Sequence, residues 1–215
     1  MAKANTTDIT FLLDSSGSMF NLISSVQSGL NEFLEQQKAL DETDLFTLVT
    51  FHGTPIKATP LKYVEPFSRY MRSSITGHYH PADSKENVNS LGARYTPQGM
   101  TPLYDAICTS IDELGTRLSE TPDGDRPNKV LFVIMTDGKE NASKHTLQDV
   151  QKRIKHQTEV YSWEFIFLGN SAQLVEEAQA WGIAKRNTLA YTSNDEGTRE
   201  VFDLMSQAAK AYRAS

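Results

Sequence analysis

Apolar positions along the chain keep two alternating rhythms. Ile9-Thr10-Phe11-Leu12-Leu13, Leu45 to Phe51, Lys129 to Met135 and Val160 to Leu168 are short runs rich in β-branched and aromatic residues. They show almost no polar alternation, as expected of strands buried on both faces. Between the runs, apolar residues recur every three or four positions, the spacing of one buried helix face. The sets are Leu22, Ile23, Val26, Leu30, Phe33 and Leu34; Leu103, Ile107, Ile111, Leu114 and Leu118; and Leu147, Val150 and Ile154. Leu174, Val175, Ala178 and Trp181, and then Val201, Phe202, Met205, Ala208 and Tyr212, continue the series. A last strand is expected at Asn187 to Thr192. A weaker strand is expected at Ile56 to Val64, with Pro60 suiting an edge, and a short helix at Arg69 to Ile75. Strand and helix alternate throughout. That predicts an α/β fold with a doubly wound, mostly parallel sheet and helices on both faces.

Gly77, Pro81, Gly92, Pro97 and Gly99 interrupt any periodicity between Pro66 and Gly99, a long loop of the kind that often carries function. No internal repeat or linker breaks the pattern. The 215 residues therefore read as one domain, with its core from about residue 7 to 212.

Composition narrows the setting. An apolar content of 39% suffices for a core. The net charge of -6, from 27 acidic and 21 basic residues, argues against a nucleic-acid partner. The longest apolar run, Val130 to Met135, is far too short to enter a bilayer as a span, and Met1 to Asp8 lacks the apolar core of a signal peptide. The single cysteine, Cys108, lies in a helical apolar pattern. It permits no intrachain disulfide and reads as a buried hydrophobe in a reducing, cytoplasmic setting.

The chemistry concentrates where strands end. In parallel sheets, ligands bind beyond the carboxyl ends of the strands. There stands Asp14-Ser15-Ser16-Gly17-Ser18-Met19, a carboxylate and two hydroxyls on alternate residues, with Gly17 expected to let the backbone turn tightly. Ser16 or Ser18 is also a candidate cap for the helix that follows. Thr101, before Pro102 at a helix start, and Asp137, after the central strand, offer two more oxygens. Hard oxygen donors meeting at one crevice suit a hard divalent cation such as Mg²⁺.

Asp14-x-Ser16-x-Ser18, Thr101 and Asp137, in that order and on those elements, resemble the metal-ion-dependent adhesion site of the von Willebrand factor type A domain. Thr101-Pro102-Leu103-Tyr104-Asp105-Ala106-Ile107 also resembles the family's helix entry. The resemblance implies a Rossmann-like fold with Mg²⁺, or Mn²⁺ or Ca²⁺, bound by Ser16, Ser18 and Thr101. Asp14 and Asp137 would act largely through waters and hydrogen bonds. It implies a divalent-cation-dependent protein-binding module without enzymatic activity, whose metal bridges to an Asp or Glu of a partner protein. ATPases and assembly complexes are among the partners such proteins serve. Neutral hydroxyls leave the metal's charge poorly compensated, so a partner carboxylate can replace a water. Phe20 and Asn21 stand where some family members carry further acids, so no second ion site of that kind is expected.

Two other readings compete with this one. A Mg²⁺-dependent phosphoryl-transfer enzyme of the haloacid-dehalogenase kind needs a second acid two residues after the first, and Ser16 occupies that position. A metal-free scaffold would keep the five residues as vestiges. Elsewhere, Asp105 reads as a first-turn residue favoured by the helix dipole, and His78 and His80 as loop histidines lacking a third zinc ligand. Lys152, Arg153, Lys155 and His156 read as a solvated face. Arg94 and Tyr95 are read as partner contacts.

Overall fold

A strand buried on both faces needs a neighbour on each side and a helix layer above and below, and the alternating chain supplies both. The computed structural model describes residues 6–38, 45–53, 70–72, 79–81, 95 and 97–215. Its strands are β1 (Thr7–Asp14), β2 (Leu45–Phe51), β3 (Tyr70–Arg72), β4 (Tyr79–Pro81), β5 (Lys129–Thr136), β6 (Glu164–Gly169) and β7 (Thr188–Ala190). Five of them form one sheet in the order β2-β1-β5-β6-β7, every pairing parallel. β3 and β4 form a separate antiparallel ribbon. The α-helices described are α1 (Ile23–Lys38), α2 (Leu103–Glu120), α3 (Leu147–Tyr161), α4 (Ala172–Ala180) and α5 (Asp195–Ala214).

Alternate residues of the central strands feed two cores. Ile9, Phe11 and Leu13 of β1, with Leu131, Val133 and Met135 of β5, pack with α1 and α5. Leu12, Phe132 and Ile134 pack with α2, α3 and α4 on the opposite face. β1 connects outward to β2 on one flank and has β5 on the other. The carboxyl ends of β1 and β5 therefore border the point where strand order reverses, which is where this architecture leaves a crevice.

Several boundaries differ from the sequence reading. Tyr70–Arg72 is strand, not helix, because it pairs with Tyr79–Pro81. The strand expected from Val160 begins at Glu164, because α3 continues through Val160 and Tyr161. Ser162 ends that helix in the left-handed conformation (φ 56°), and the Trp163 amide donates to the Gln157 carbonyl at 3.1 Å. The last strand is only Thr188–Ala190. The strand expected at Ile56 to Val64 lies outside the described residues. Arg153 is more than a solvated charge, since its guanidinium grips the Asp112 carboxylate of α2 at 2.7 to 3.0 Å. Cys108 is fully buried, and burial pushes its thiol up to about 12.

The α1–α5 crossing is set by Gly29. A Cβ there would stand 2.3 Å from Cδ2 of Phe202, whose ring stacks on Phe11 at 5.9 Å. Gly29→Ala gains about 1 kcal/mol of helix propensity but overpacks this contact by roughly 1–3 kcal/mol. The expected result in chemical denaturation is a net loss of stability that a smaller residue at 202 reverses. A Gly29→Ala protein more stable than the parent would contradict this packing.

Candidate metal centre

The turn after β1 is sewn to a neighbouring loop by backbone and side-chain bonds. The Ser15 amide and hydroxyl both donate to the Phe51 carbonyl at 2.9 Å, tying the ends of β1 and β2 together. The loop leading to α2 lies across these ends. Gln98 N donates to Ser15 O at 2.9 Å, Gly17 N to Gly99 O at 3.2 Å, and Gly53 N to Met100 O at 3.0 Å. Gly99 adopts φ 71° and passes so close to Gly53 that a Cβ would sit 3.3 Å from its Cα. Gly17 is not among the positive-φ glycines, and a Cβ there meets only ordinary contacts, so the turn does not depend on it as expected. Tyr95, expected to face a partner, is instead buried, with its hydroxyl donating to the Asp14 carbonyl at 2.6 Å. Arg94 lies outside the described residues.

These bonds bring Thr101 to the end of β1. Across the crevice, Asp137 and Gly138 follow β5. A Cβ added to Gly138 would stand 3.1 Å from Thr101 Oγ1, 3.5 Å from Ser18 Oγ and 3.7 Å from Asp14 Oδ2. Oxygens from two other parts of the chain thus surround one point beside this glycine. Ser18 Oγ donates to Asp137 Oδ1 at 2.5 Å, so its proton is committed. Ser16 Oγ, 3.1 Å away, is then the donor to Ser18. The predicted serine caps are absent, since neither hydroxyl bonds a helix amide and Ser16 only precedes a 3₁₀ turn, Gly17–Leu22.

Asp14 is fully buried. Its Oδ1 accepts the Ser16 amide at 2.7 Å and its Oδ2 accepts the Thr136 hydroxyl at 2.6 Å. Burial pushes its carboxyl up to about 6 against these bonds, and burial likewise raises Asp137. Among the described residues no Lys, Arg or His forms an ion pair with either acid. A buried carboxylate without a counter-charge is costly, and a cation in the cradle would supply one. All the donors are hard oxygens. No group of three His, Cys, Asp or Glu stands together among the described residues, so no softer site competes. Ser16, Ser18 and Thr101 are the hydroxyls available to hold such an ion. Asp14, Ser16 and Thr101 form its buried floor, with Ser18 and Asp137 on the open side.

Of the residues that lock this arrangement, Asp105 alone is marked individually in the sequence, as a first-turn acid of the helix; its clamp, and Asn141 and Glu140, escaped sequence reasoning. Asn141 Oδ1 accepts the Thr101 amide at 2.8 Å while the Asn141 amide donates to the Thr101 carbonyl at 3.2 Å. Glu140 accepts the Tyr104 amide at 2.8 Å and three donors of its own loop, the amides of Ala142 and Ser143 and the Ser143 hydroxyl. Asp105 accepts the amides of Lys144 and His145 and bonds His145 Nδ1 at 2.7 Å. Burial alone would raise the Asp105 carboxyl, but these bonds hold it below the usual range. The loop after β5 is thus clamped to the first turn of α2. That loop's only sequence signal was the density of polar side chains in Glu140-Asn141-Ala142-Ser143 beside a strand end.

Replacing Gly138 by alanine puts a methyl group among the cradle oxygens, in a backbone conformation outside the left-handed region. The expected result is loss of divalent-ion binding by calorimetry, with the fold retained in circular dichroism. Unchanged binding would mean that the ion does not occupy this cradle.

Comparison with known proteins agrees with the fold. A family model described as von Willebrand factor type A domain matches residues 8–206. Proximal thread matrix protein 1 from the mussel byssus is structurally similar, at TM-score 0.60 and 15% identity over 95% of this chain and 48% of that one. Another structure of that protein, with zinc occupying its MIDAS motif, is 16% identical at TM-score 0.60, with the same coverage. The pilus adhesin SpaC from Lactobacillus rhamnosus GG, in its open conformation, has TM-score 0.61 and 13% identity over 99% of this chain and 31% of that one. This chain spans less than half the length of these structures. No curated protein matches it. No helix among the described residues is long and apolar enough to cross a membrane.

Proposed function

Because the chain belongs to the von Willebrand factor type A domain family, we propose that it is a divalent-cation-dependent protein-binding module whose metal takes an Asp or Glu carboxylate from a partner. The carrying observation is the set of oxygens, Thr101 Oγ1, Ser18 Oγ and Asp14 Oδ2, that a Gly138 Cβ would meet. Ser16, Ser18 and Thr101 hold the ion, Asp14 fixes the Ser16 backbone amide, Asp137 fixes the Ser18 hydroxyl, and both acids supply negative charge. Mg²⁺ is the proposed ion, with Mn²⁺ or Ca²⁺ as substitutes. A cation held mainly by neutral hydroxyls keeps a charge deficit and an exchangeable water, and an incoming carboxylate meets both needs.

The alternative, phosphoryl transfer, lacks a second acid beside Asp14, since Ser16 stands there. The single, buried Cys108 is the reason to propose a reducing, cytoplasmic setting. An ATPase or an assembly complex is the proposed kind of partner. The test is affinity capture from the native source in Mg²⁺ followed by chelator. Partners released by chelator, and not captured by the Gly138→Ala protein, support the bridge. Partners indifferent to chelator overturn it, and Mg²⁺-dependent turnover of a generic phosphoester would put the enzyme in its place.

A further inference from the structure

Two bulky apolar side chains stand in solvent on the loops that carry the cradle. Phe20, two residues after Ser18, is 65% exposed, and Met100, immediately before Thr101, is 47% exposed. Neither position is loosely held. In the 3₁₀ turn Gly17–Leu22, Met19 and Leu22 are buried and anchor the backbone, which leaves Phe20 pointing outward. The Met100 carbonyl accepts the Gly53 amide. The Gly17–Gly99 bond ties one loop to the other, so Phe20 and Met100 project from a shared, fixed rim. After β5 the rim changes character. Lys139, two residues beyond Asp137, is exposed, with its Nζ 2.7 Å from Gln173 Oε1 of α4. The loops around the cradle therefore present two exposed apolar groups on the β1 side and, on the β5 side, one exposed ammonium, Lys139, between Asp137 and a Glu140 carboxylate that is turned onto its own loop's amides.

We propose that Phe20 and Met100 form a specificity subsite beside the metal, reading a large apolar side chain next to the partner's metal-binding acid. This rests on the carboxylate-bridge reading and adds the chemistry of the partner segment. It is acidic, with Asp or Glu at the ion and an aromatic or branched aliphatic residue within two positions of it. The physical reasons are two. A single carboxylate exchanging with a metal-bound water brings little contact area, so selectivity must come from what flanks it. Exposed apolar groups on an anchored backbone gain from burial by a partner without the added cost of ordering a loop. The cation supplies the charge complementarity that favours an acidic segment, with the exposed Lys139 ammonium adding to it at the rim.

The experiment displays a library of short random segments with one fixed central Asp and pans it against the immobilised full chain in Mg²⁺ and in chelator. The expected result is Mg²⁺-dependent enrichment of segments carrying Phe, Tyr, Trp, Leu or Ile within two positions of the Asp. The enrichment should fall about tenfold against the Phe20→Ser, Met100→Ser double variant. The thermal midpoint of that variant, expected to be unshifted, separates loss of contact from loss of fold. Mg²⁺-dependent enrichment without apolar bias, or with a bias the double variant keeps, overturns the subsite and leaves the carboxylate bridge standing. Enrichment that neither chelator nor an Asp-to-Asn library diminishes overturns both.

Discussion

Asp14→Asn is expected to abolish the stabilisation of this protein by Mg²⁺ while leaving the metal-free fold at least as stable as the parent. The expectation follows from the hydrogen bonds around the side chain. Asn retains an oxygen for the Ser16 amide, which the Asp14 Oδ1 accepts at 2.7 Å. One hydrogen of its amide group then meets the Thr136 oxygen, whose own proton can turn to the Gly138 carbonyl 3.0 Å away, while the other faces the cradle. The removal of a fully buried charge outweighs that one donor. The parent chain in Mg²⁺ at about 100 times its dissociation constant gains roughly 2.7 kcal/mol, a rise of roughly 5–10 °C in thermal midpoint for a domain of this size. The variant should show no such rise. Thermal unfolding with and without Mg²⁺ makes the measurement, and a variant that keeps the full rise would show that Asp14 takes no part.

The second large effect lies at the opposite end of the same strand. Asp8 is completely buried and has its charge answered by Arg117 of α2, Nη2 to Oδ2 at 2.7 Å. Burial raises the Asp8 carboxyl, and the guanidinium partly restores it. Arg117→Met keeps the length and apolar stem of the side chain but leaves a buried carboxylate alone, a loss of about 3–5 kcal/mol near neutral pH. The sign with pH follows from the direction of the shift. A group whose folded pKa is raised above 3.8 costs stability as pH rises through that interval and releases the cost as pH falls. Without Arg117 the folded value climbs further. The deficit of the variant against the parent should therefore be greatest at neutral pH and shrink as pH is lowered towards the unfolded value. Urea denaturation across pH reads it, and the added change Asp8→Asn should recover most of the loss at neutral pH. A deficit independent of pH would place the effect in packing alone. Asp8 and Asp14 are six residues apart along a strand, roughly 20 Å, so Mg²⁺ affinity should be unaffected.

The two sites show what could be read before folding and what could not. Asp14, Ser16 and Ser18 announced themselves through alternate spacing at a strand end, and Thr101 and Asp137 through their positions on neighbouring elements. Asn141 and Glu140, which hold Thr101 and the start of α2, carried no comparable mark. Their work is done on backbone amides, and any Asn or Glu in a loop looks the same in sequence. Tyr95 departs from expectation for a related reason. A tyrosine in an irregular stretch suggests a surface contact, yet its ring is buried and its hydroxyl meets a carbonyl of the strand end. Val160 and Tyr161 have strand-forming side chains, and what overrode them was the continuing hydrogen-bond ladder of α3 up to the left-handed Ser162. Tyr70–Arg72 is strand because a partner segment lies beside it, which no local propensity records.

The sequence by itself determined the alternation of buried runs and amphipathic faces, and with it the α/β class, the parallel sheet and the family. Those follow from periodicity, because hydrophobic burial is paid for element by element along the chain. Only the tertiary structure decided which oxygens share a point in space, which polar side chains hold them there, and which apolar groups remain outside. Those depend on loops whose bonds join residues as far apart as Tyr95 and Asp14, or Ser18 and Asp137. The geometry of such bonds is set by packing of the whole sheet, not by the residues near them in the chain.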